Sequence, residues 1–213
     1  MGKGVLVTPT VEGTIIIGPS AEDIEDKTDV RTTADKLEQI LQTASKSWPN
    51  IPDRQFITQF AGLRAHCDRD DFIIGGFDDV PGYFAAAGIE SPGLTAAPAI
   101  AEDIASLAAD FLLAKKRKDF RPPEPHALNF RLLSDAQRAE IIRENPDYGK
   151  IICRCEQVSE AEIRDSIRRP VGAVTVDGVK RRTRAGMGRC QGGFCQPAVI
   201  TILAEELNLL PTQ

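Results

Sequence analysis

Thr183-Arg184-Ala185-Gly186-Met187-Gly188-Arg189-Cys190-Gln191-Gly192-Gly193-Phe194-Cys195 is the stretch on which the reading of this 213-residue chain turns. It holds a C-x4-C pair among four glycines, and a C-x-C pair, Cys153 and Cys155, precedes it with 34 residues between Cys155 and Cys190. Four thiolates in two tight pairs suit a soft metal, because zinc and iron-sulfur clusters both accept tetrahedral sulfur. Structural zinc knuckles usually space their cysteines by two residues or more, so C-x-C favours a cluster. The glycines let backbone N–H groups approach sulfur closely, which raises the reduction potential of a cluster. An oxidised [2Fe-2S] unit on four thiolates carries a charge of about -2. Arg154, Lys180, Arg181, Arg182, Arg184 and Arg189 would supply the balancing cations. A zinc staple is the rival reading of the same four cysteines. Nucleic-acid binding is set aside, since Phe194 alone gives the basic run no series of stacking rings.

Around this stretch the chain reads as a helical module. Ser159-Glu160-Ala161-Glu162 has capping-box spacing and predicts a helix to about Arg168, closed by Pro170. Val179 to Arg184 predicts one or two helical turns. Pro197 opens a last helix whose apolar face is Val199, Ile200, Leu203 and Leu207. Upstream, Arg121-Pro122-Pro123-Glu124-Pro125 reads as a stiff connector, followed by a short helix from Ser134 to Glu144. Farther back, Gly4–Pro9 and Thr14–Gly18 form a hairpin signal around Val11-Glu12-Gly13. Leu37, Ile40, Leu41, Ala44 and Trp48 mark an amphipathic helix stopped by Pro49. Gln55–Phe60, Asp71–Phe77 and Tyr83–Ala87 have strand character, and an alanine-rich helix covers about Thr95 to Ala114.

Composition sets the frame. Hydrophobic residues are 42% and charged residues 27%, which excludes collagen-like, disordered and disulfide-scaffold classes. The formal charge is -5, but from Lys150 onward ten Lys and Arg face seven Asp and Glu. Five cysteines without a signal-peptide pattern point to a reducing compartment, where clustered thiols bind metal. No run of about 18 apolar residues suggests a transmembrane span.

Cys153-Arg154-Cys155-Glu156 together with the Thr183–Cys195 stretch resembles the bacterioferritin-associated ferredoxin-like (BFD-like) [2Fe-2S] domain over about Lys150 to Leu210. That resemblance implies a small helical module with the cluster held near its surface by two loops on Cys153, Cys155, Cys190 and Cys195. Family members occur alone or fused to flavin-dependent oxidoreductases. The C-x4-C pair departs from the C-x2-C of the stand-alone members and is like the fused ones.

The first part of the chain shows no metal or nucleophile constellation. Cys67 reads as a small core or loop residue, His66 as lacking a partner at useful spacing, and His126 as solvated; no catalytic residue is assigned. Arg64, at the end of an expected strand, reads either as a bidentate clamp for a carboxylate or phosphate or as a plain ion-pair partner. The glycine-rich turn before the alanine-rich helix reads either as an anion-facing helix end or as a tight connection.

Taken together, Val7–Gly13, Ile17-Gly18-Pro19, Phe60-Ala61-Gly62-Leu63-Arg64 and Gly88–Ala101 resemble the carboxyl-terminal half of the D-amino-acid-oxidase-like flavoproteins, in the branch of glycerol-3-phosphate dehydrogenase and 2-hydroxyglutarate oxidase. By that resemblance Arg64 faces the anionic group of a small substrate, and Gly88, Ile89, Glu90, Ser91, Pro92, Gly93, Leu94 and Thr95 meet the flavin of FAD. No strand–GxGxxG–helix unit is present, so the chain is expected to be a fragment, or a subunit, that needs a partner carrying the FAD-binding half.

The expected fold is α+β: a mixed or antiparallel sheet with helices over residues 1–118, a Pro-containing linker over 119–149, and a mainly helical [2Fe-2S] domain over 150–213. The expected function is oxidation of a small anionic hydroxy or amino compound, with electrons passing from FAD to the cluster and on to an acceptor protein or quinone-linked subunit. The expected location is cytoplasmic, with peripheral membrane attachment through a partner left open. A ferredoxin-like electron-transfer or iron-handling module and a zinc-stapled interaction protein are the alternatives.

Overall fold

The computed structural model describes residues 4–121 and 128–211; the proline cluster of the connector and His126 lie outside them. The fold is α+β. Among the described residues are six α-helices and three separate two-stranded antiparallel sheets. The chain divides into two compact units, Met1–Ile51 with Gln59–Pro122, and Pro52–Thr58 with Pro123–Gln213.

In the first unit, β1 (Leu6–Pro9) pairs with β2 (Ile15–Gly18). The expected hairpin forms because the Thr10 and Thr14 hydroxyls meet at 2.8 Å and Gly13 takes the positive φ of the turn. Helix α1 (Ala34–Ala44) packs on β2 and ends one turn before Pro49. β3 (Ile73–Gly76) pairs with β4 (Phe84–Ala87), and α2 (Gly93–Phe111) packs on both, with Phe111 edge-on to Phe84 at 5.9 Å between ring centroids. The strand expected at Gln55–Phe60 does not form: Asp53–Gln55 is a 3-10 turn and the residues after it have no ladder. A strand exists only by pairing, and none of the described strands pairs with this segment. Arg64 therefore lies in irregular backbone and not at a strand end.

The second unit contains a packed core. α3 (Asp135–Glu144) begins in a capping box between Ser134 and Gln137. β5 (Ile151–Cys153) pairs with β6 (Val158–Ser159), and Ser159 then caps α4 (Glu160–Arg168). The Glu162 carboxylate closes that box on the Ser159 N–H at 2.8 Å and also accepts the Phe130 N–H at 3.0 Å. One side chain thus starts α4 and ties residues 128–133 to it. Helix α5 (Val176–Thr183) starts earlier than expected because the Thr175 hydroxyl accepts from Gly178 N–H at 2.9 Å. α4, α5 and α6 (Gln196–Leu207) pack together around Ile163, Ile167, Val179, Val199, Ile202 and Leu203. Outside that core, Arg164 and Arg168 on α4 bind Glu206 on α6 at 2.6 Å. No helix among the described residues is long and apolar enough to cross a membrane.

Ile163 has no exposed surface. Ile163→Ala is expected to lower the unfolding free energy of the second unit by about 2–5 kcal/mol. Val174→Thr, at an exposed position of the same unit, should change it by less than about 0.5 kcal/mol. Urea denaturation followed by circular dichroism checks both.

Candidate metal centre and flavoprotein segment

The four clustered cysteines come together from two loops. Cys153 ends β5 and is buried, and Cys155 is exposed in the turn between β5 and β6. Cys190 lies in the loop after α5, and Cys195 is the buried residue that opens α6. The Cys155 and Cys190 sulfurs are 3.6 Å apart. Cys195 has Cys153 as its thiol partner. Each pair therefore joins one cysteine from each loop. All five cysteines are free thiols.

Hydrogen bonds and burial divide the four. The Cys190 thiol is held below its ordinary pKa by the bond from Cys155 and by the N–H groups of Phe194, Gly192 and Gly193. Cys155 is bonded by the Cys190 N–H, which pulls it down. The proton shared with the Cys190 thiol, desolvation and the neighbouring thiols outweigh that pull and raise it. Burial, then Cys153, pushes Cys195 up to about 11. The loop needs glycine at 188, because a Cβ there would collide with Cys155 Cβ and come within 3.4 Å of its sulfur.

This donor set fits a dinuclear cluster. Two thiolates on one tetrahedral metal, at bonds of about 2.3 Å, stand about 3.8 Å apart, close to the 3.6 Å of Cys155 and Cys190. Cys155 bonds Cys190 and Cys195 bonds Cys153, a division compatible with two irons. Of the six cations counted in the sequence, Lys180 and Arg181 pair with Asp177, Arg182 donates to Val171 and Gly178 carbonyls, and Arg184 binds Glu156. Arg154 and Arg189 remain exposed beside the cysteines.

In the first unit, Gly88 to Pro92 joins β4 to α2, and Gly93, Leu94 and Thr95 form the first turn of that helix. Gly88 has φ +61°, and a Cβ there would lie 2.8 Å from Cys67 Cβ, so the loop runs hard against the segment of Cys67. No side chain caps the amino end of α2 and no acid lies in its first turn, where a helix presents its positive end. Glu90 in this loop stands 3.6 Å from Arg64 Nη1 and 3.2 Å from His66 Nδ1, and Asp70 is 3.6 Å from His66 Nε2. The expectation that His66 has no partner is corrected: chain folding brings Glu90 from 24 residues away, and Asp70 was visible at i+4.

The profile of the FAD dependent oxidoreductase family matches residues 1–107, half of the chain. The chain belongs to that family. Residues 151–205 match the BFD-like [2Fe-2S] binding domain, so the segments of an FAD enzyme and of a [2Fe-2S] protein share one polypeptide. A glycerol 3-phosphate dehydrogenase of Caloramator mitchellensis is 50% identical over the whole chain, which covers 45% of that protein. Anaerobic glycerol-3-phosphate dehydrogenase subunit A1 of Haloferax volcanii is 25% identical over 97% of the chain and 40% of its own length. A glycerol 3-phosphate oxidase of Mycoplasma genitalium is 34% identical over 57% of the chain and 32% of its length. The chain thus spans less than half the length of these relatives. No solved structure matches it.

The Glu90 hydrogen bond raises the His66 pKa, with help from the charges of Glu90, Asp70 and Asp23. His66 should therefore titrate above the ordinary imidazole value of about 6.5 in an NMR titration, and Glu90→Gln should lower it. The favourable interaction is complete below that ordinary value and fades as pH rises through the raised one. An unmoved His66 titration in the variant would remove Glu90 as its cause.

Proposed function

We propose that this chain supplies the substrate-facing and iron-sulfur parts of an FAD-dependent dehydrogenase of glycerol 3-phosphate or a similar small anionic hydroxy compound. Electrons pass from flavin to a [2Fe-2S] cluster on Cys153, Cys155, Cys190 and Cys195. The observation that carries the reading is the presence, in one polypeptide, of a flavoprotein segment and a four-thiol centre paired two and two. Bound FAD supplies a two-electron acceptor, and the cluster supplies a one-electron relay that directs electrons to another carrier rather than to oxygen.

Each residue set has a defined part in this scheme. Arg64 binds the substrate's phosphate or carboxylate, and its ion pair with Glu90 holds the guanidinium in place before substrate arrives. Residues 88–95 would hold FAD, and the N–H groups at Leu94 and Thr95, which no side chain caps, would stabilise negative charge on its reduced form. In the cluster loop, the N–H groups of Gly192, Gly193 and Phe194 stabilise the anionic sulfur of Cys190.

A partner segment is part of the proposal. In the first unit Gly18 and Ala44 alone among the described residues are buried, and the 19-residue α2 buries none of its side chains. Leu6, Ile15, Ile16, Phe60, Leu63 and Phe111 are exposed. Apolar surface of this extent on paired ribbons calls for a covering layer, and the FAD-binding half of the family is the occupant proposed. An acceptor protein or quinone-linked subunit then takes the electrons. Free thiols fit a reducing compartment, and a cytoplasmic location is proposed on that ground.

Anaerobically purified protein should hold about two irons and two acid-labile sulfides per chain and bleach with dithionite. Serine at Cys153, Cys155, Cys190 or Cys195 should abolish this, and Cys67→Ser should not. Co-expressed with the FAD-binding half of a relative, the chain should show flavin reduction by glycerol 3-phosphate followed by cluster bleaching, and Arg64→Ala should raise KM about 100-fold. One zinc without sulfide would refute the electron-transfer reading. A reducible cluster without substrate-dependent flavin reduction would leave a ferredoxin-like module.

A further inference from the structure

Glu156 follows Cys155 on the first cysteine loop, and Arg184 leads into the second. Arg184 Nε donates to Glu156 Oε2 at 2.7 Å, across 28 residues of sequence. The Glu156 side chain is only 11% exposed, and Arg131 Nη1 approaches the same oxygen at 3.7 Å. Arg184 closes α5 with φ +70°, the left-handed conformation for which glycine is the favoured residue. An arginine here therefore accepts a backbone cost that its guanidinium offsets by reaching Glu156. Gly188 lies on the same contact: a Cβ at that position would collide with Cys155 Cβ and stand 3.3 Å from Glu156 Oε1. The turn bearing Cys190 is thus laid directly on the turn bearing Cys155.

We propose that Glu156 and Arg184 form a positioning latch that holds the two cysteine loops in register for the cluster, and that their two charges tune its reduction potential in opposite directions. This rests on the reading of the four cysteines as the cluster ligands. Mechanically, the latch ties the residue beside Cys155 to the residue from which the Cys190 loop departs, so losing either member frees both loops. Electrostatically, a carboxylate beside an anionic cluster opposes reduction and a guanidinium favours it. The paired charges nearly cancel, and removing one exposes the other.

The test uses the 213-residue chain with its cluster reconstituted anaerobically. Glu156→Gln removes the carboxylate with little change in shape, and Arg184→Gly removes the guanidinium while keeping a residue suited to the left-handed helix end. Both should release iron to a chelator roughly tenfold faster than wild type, the scale of a lost partner to a metal ligand. The midpoint potential should rise in Glu156→Gln and fall in Arg184→Gly. The double variant should release iron no faster than the single ones, with a potential close to wild type. Glu156→Asp, which keeps the charge, should restore the wild-type potential and guards against a glutamine variant that fails to fold. A loss of packing alone would not move the potentials in opposite senses. Wild-type release rates in the single variants, or potential shifts of the same sign, would overturn the latch while leaving the cluster reading intact. A wild-type chain that carries zinc and no sulfide would overturn the cluster reading and the latch together.

Discussion

Two of the four clustered thiols are core residues. Cys153 and Cys195 sit in the same apolar cluster as Ile163, Val179 and Val199, so packing α4, α5 and α6 and closing the metal centre use the same atoms. In the metal-free fold a buried thiol behaves as a small apolar side chain, and burial holds the Cys195 proton on up to about pH 11. Ligation must displace that proton, so occupancy of the site is linked to pH and to folding free energy. Cys155 and Cys190 have the opposite character. They lie nearer solvent, and hydrogen bonds from loop backbone place them. The inner pair is fixed by packing and the outer pair by the loops, which is why glycine at 188 matters as much as the cysteines do.

The first unit obeys a different constraint. Its two ribbons each have a helix packed on them, yet apolar side chains on β1, β2 and α2 remain at the surface. The order it has comes from a few particular contacts: the Thr10–Thr14 turn, the close approach of Gly88 to Cys67 and the Phe84–Phe111 contact. Hydrophobic burial, which dominates the stability of most domains, contributes little here.

Legibility in the sequence follows the range of the interaction. Ser159 and Glu162 are three residues apart, and the helix they announce begins and ends where the spacing places it. The same holds for Ser134 and for the hairpin at Gly13. Gln55–Phe60 misled because β-branched and aromatic residues report suitability for a sheet and not the existence of a partner. The start of α5 was missed because Thr175 caps it from outside the apolar pattern. The cysteine pairs were visible as a motif, but their crossing, with each pair drawn from both loops, required the fold. His66 with Glu90 and Glu156 with Arg184 are separated by 24 and 28 residues, and neither contact has a spacing that announces it.

Charge shows most sharply how composition and placement differ. Six cations near the cysteines suggest a strongly positive site, but acids or carbonyls of the same unit engage four of them. An engaged guanidinium contributes little field at a distance, because its partner's charge cancels it beyond a few ångströms. What acts on the sulfurs is therefore short-ranged: the N–H groups of residues 192–194 on Cys190, the mutual repulsion of the thiols, and the two exposed arginines at 154 and 189. The surplus of basic residues in this third of the chain goes mainly into fastening helices, as Arg164 and Arg168 do across α4 and α6. The electrostatics of the centre depend on backbone dipoles placed by a glycine-rich turn, and a count of lysines and arginines overstates the charge that reaches it.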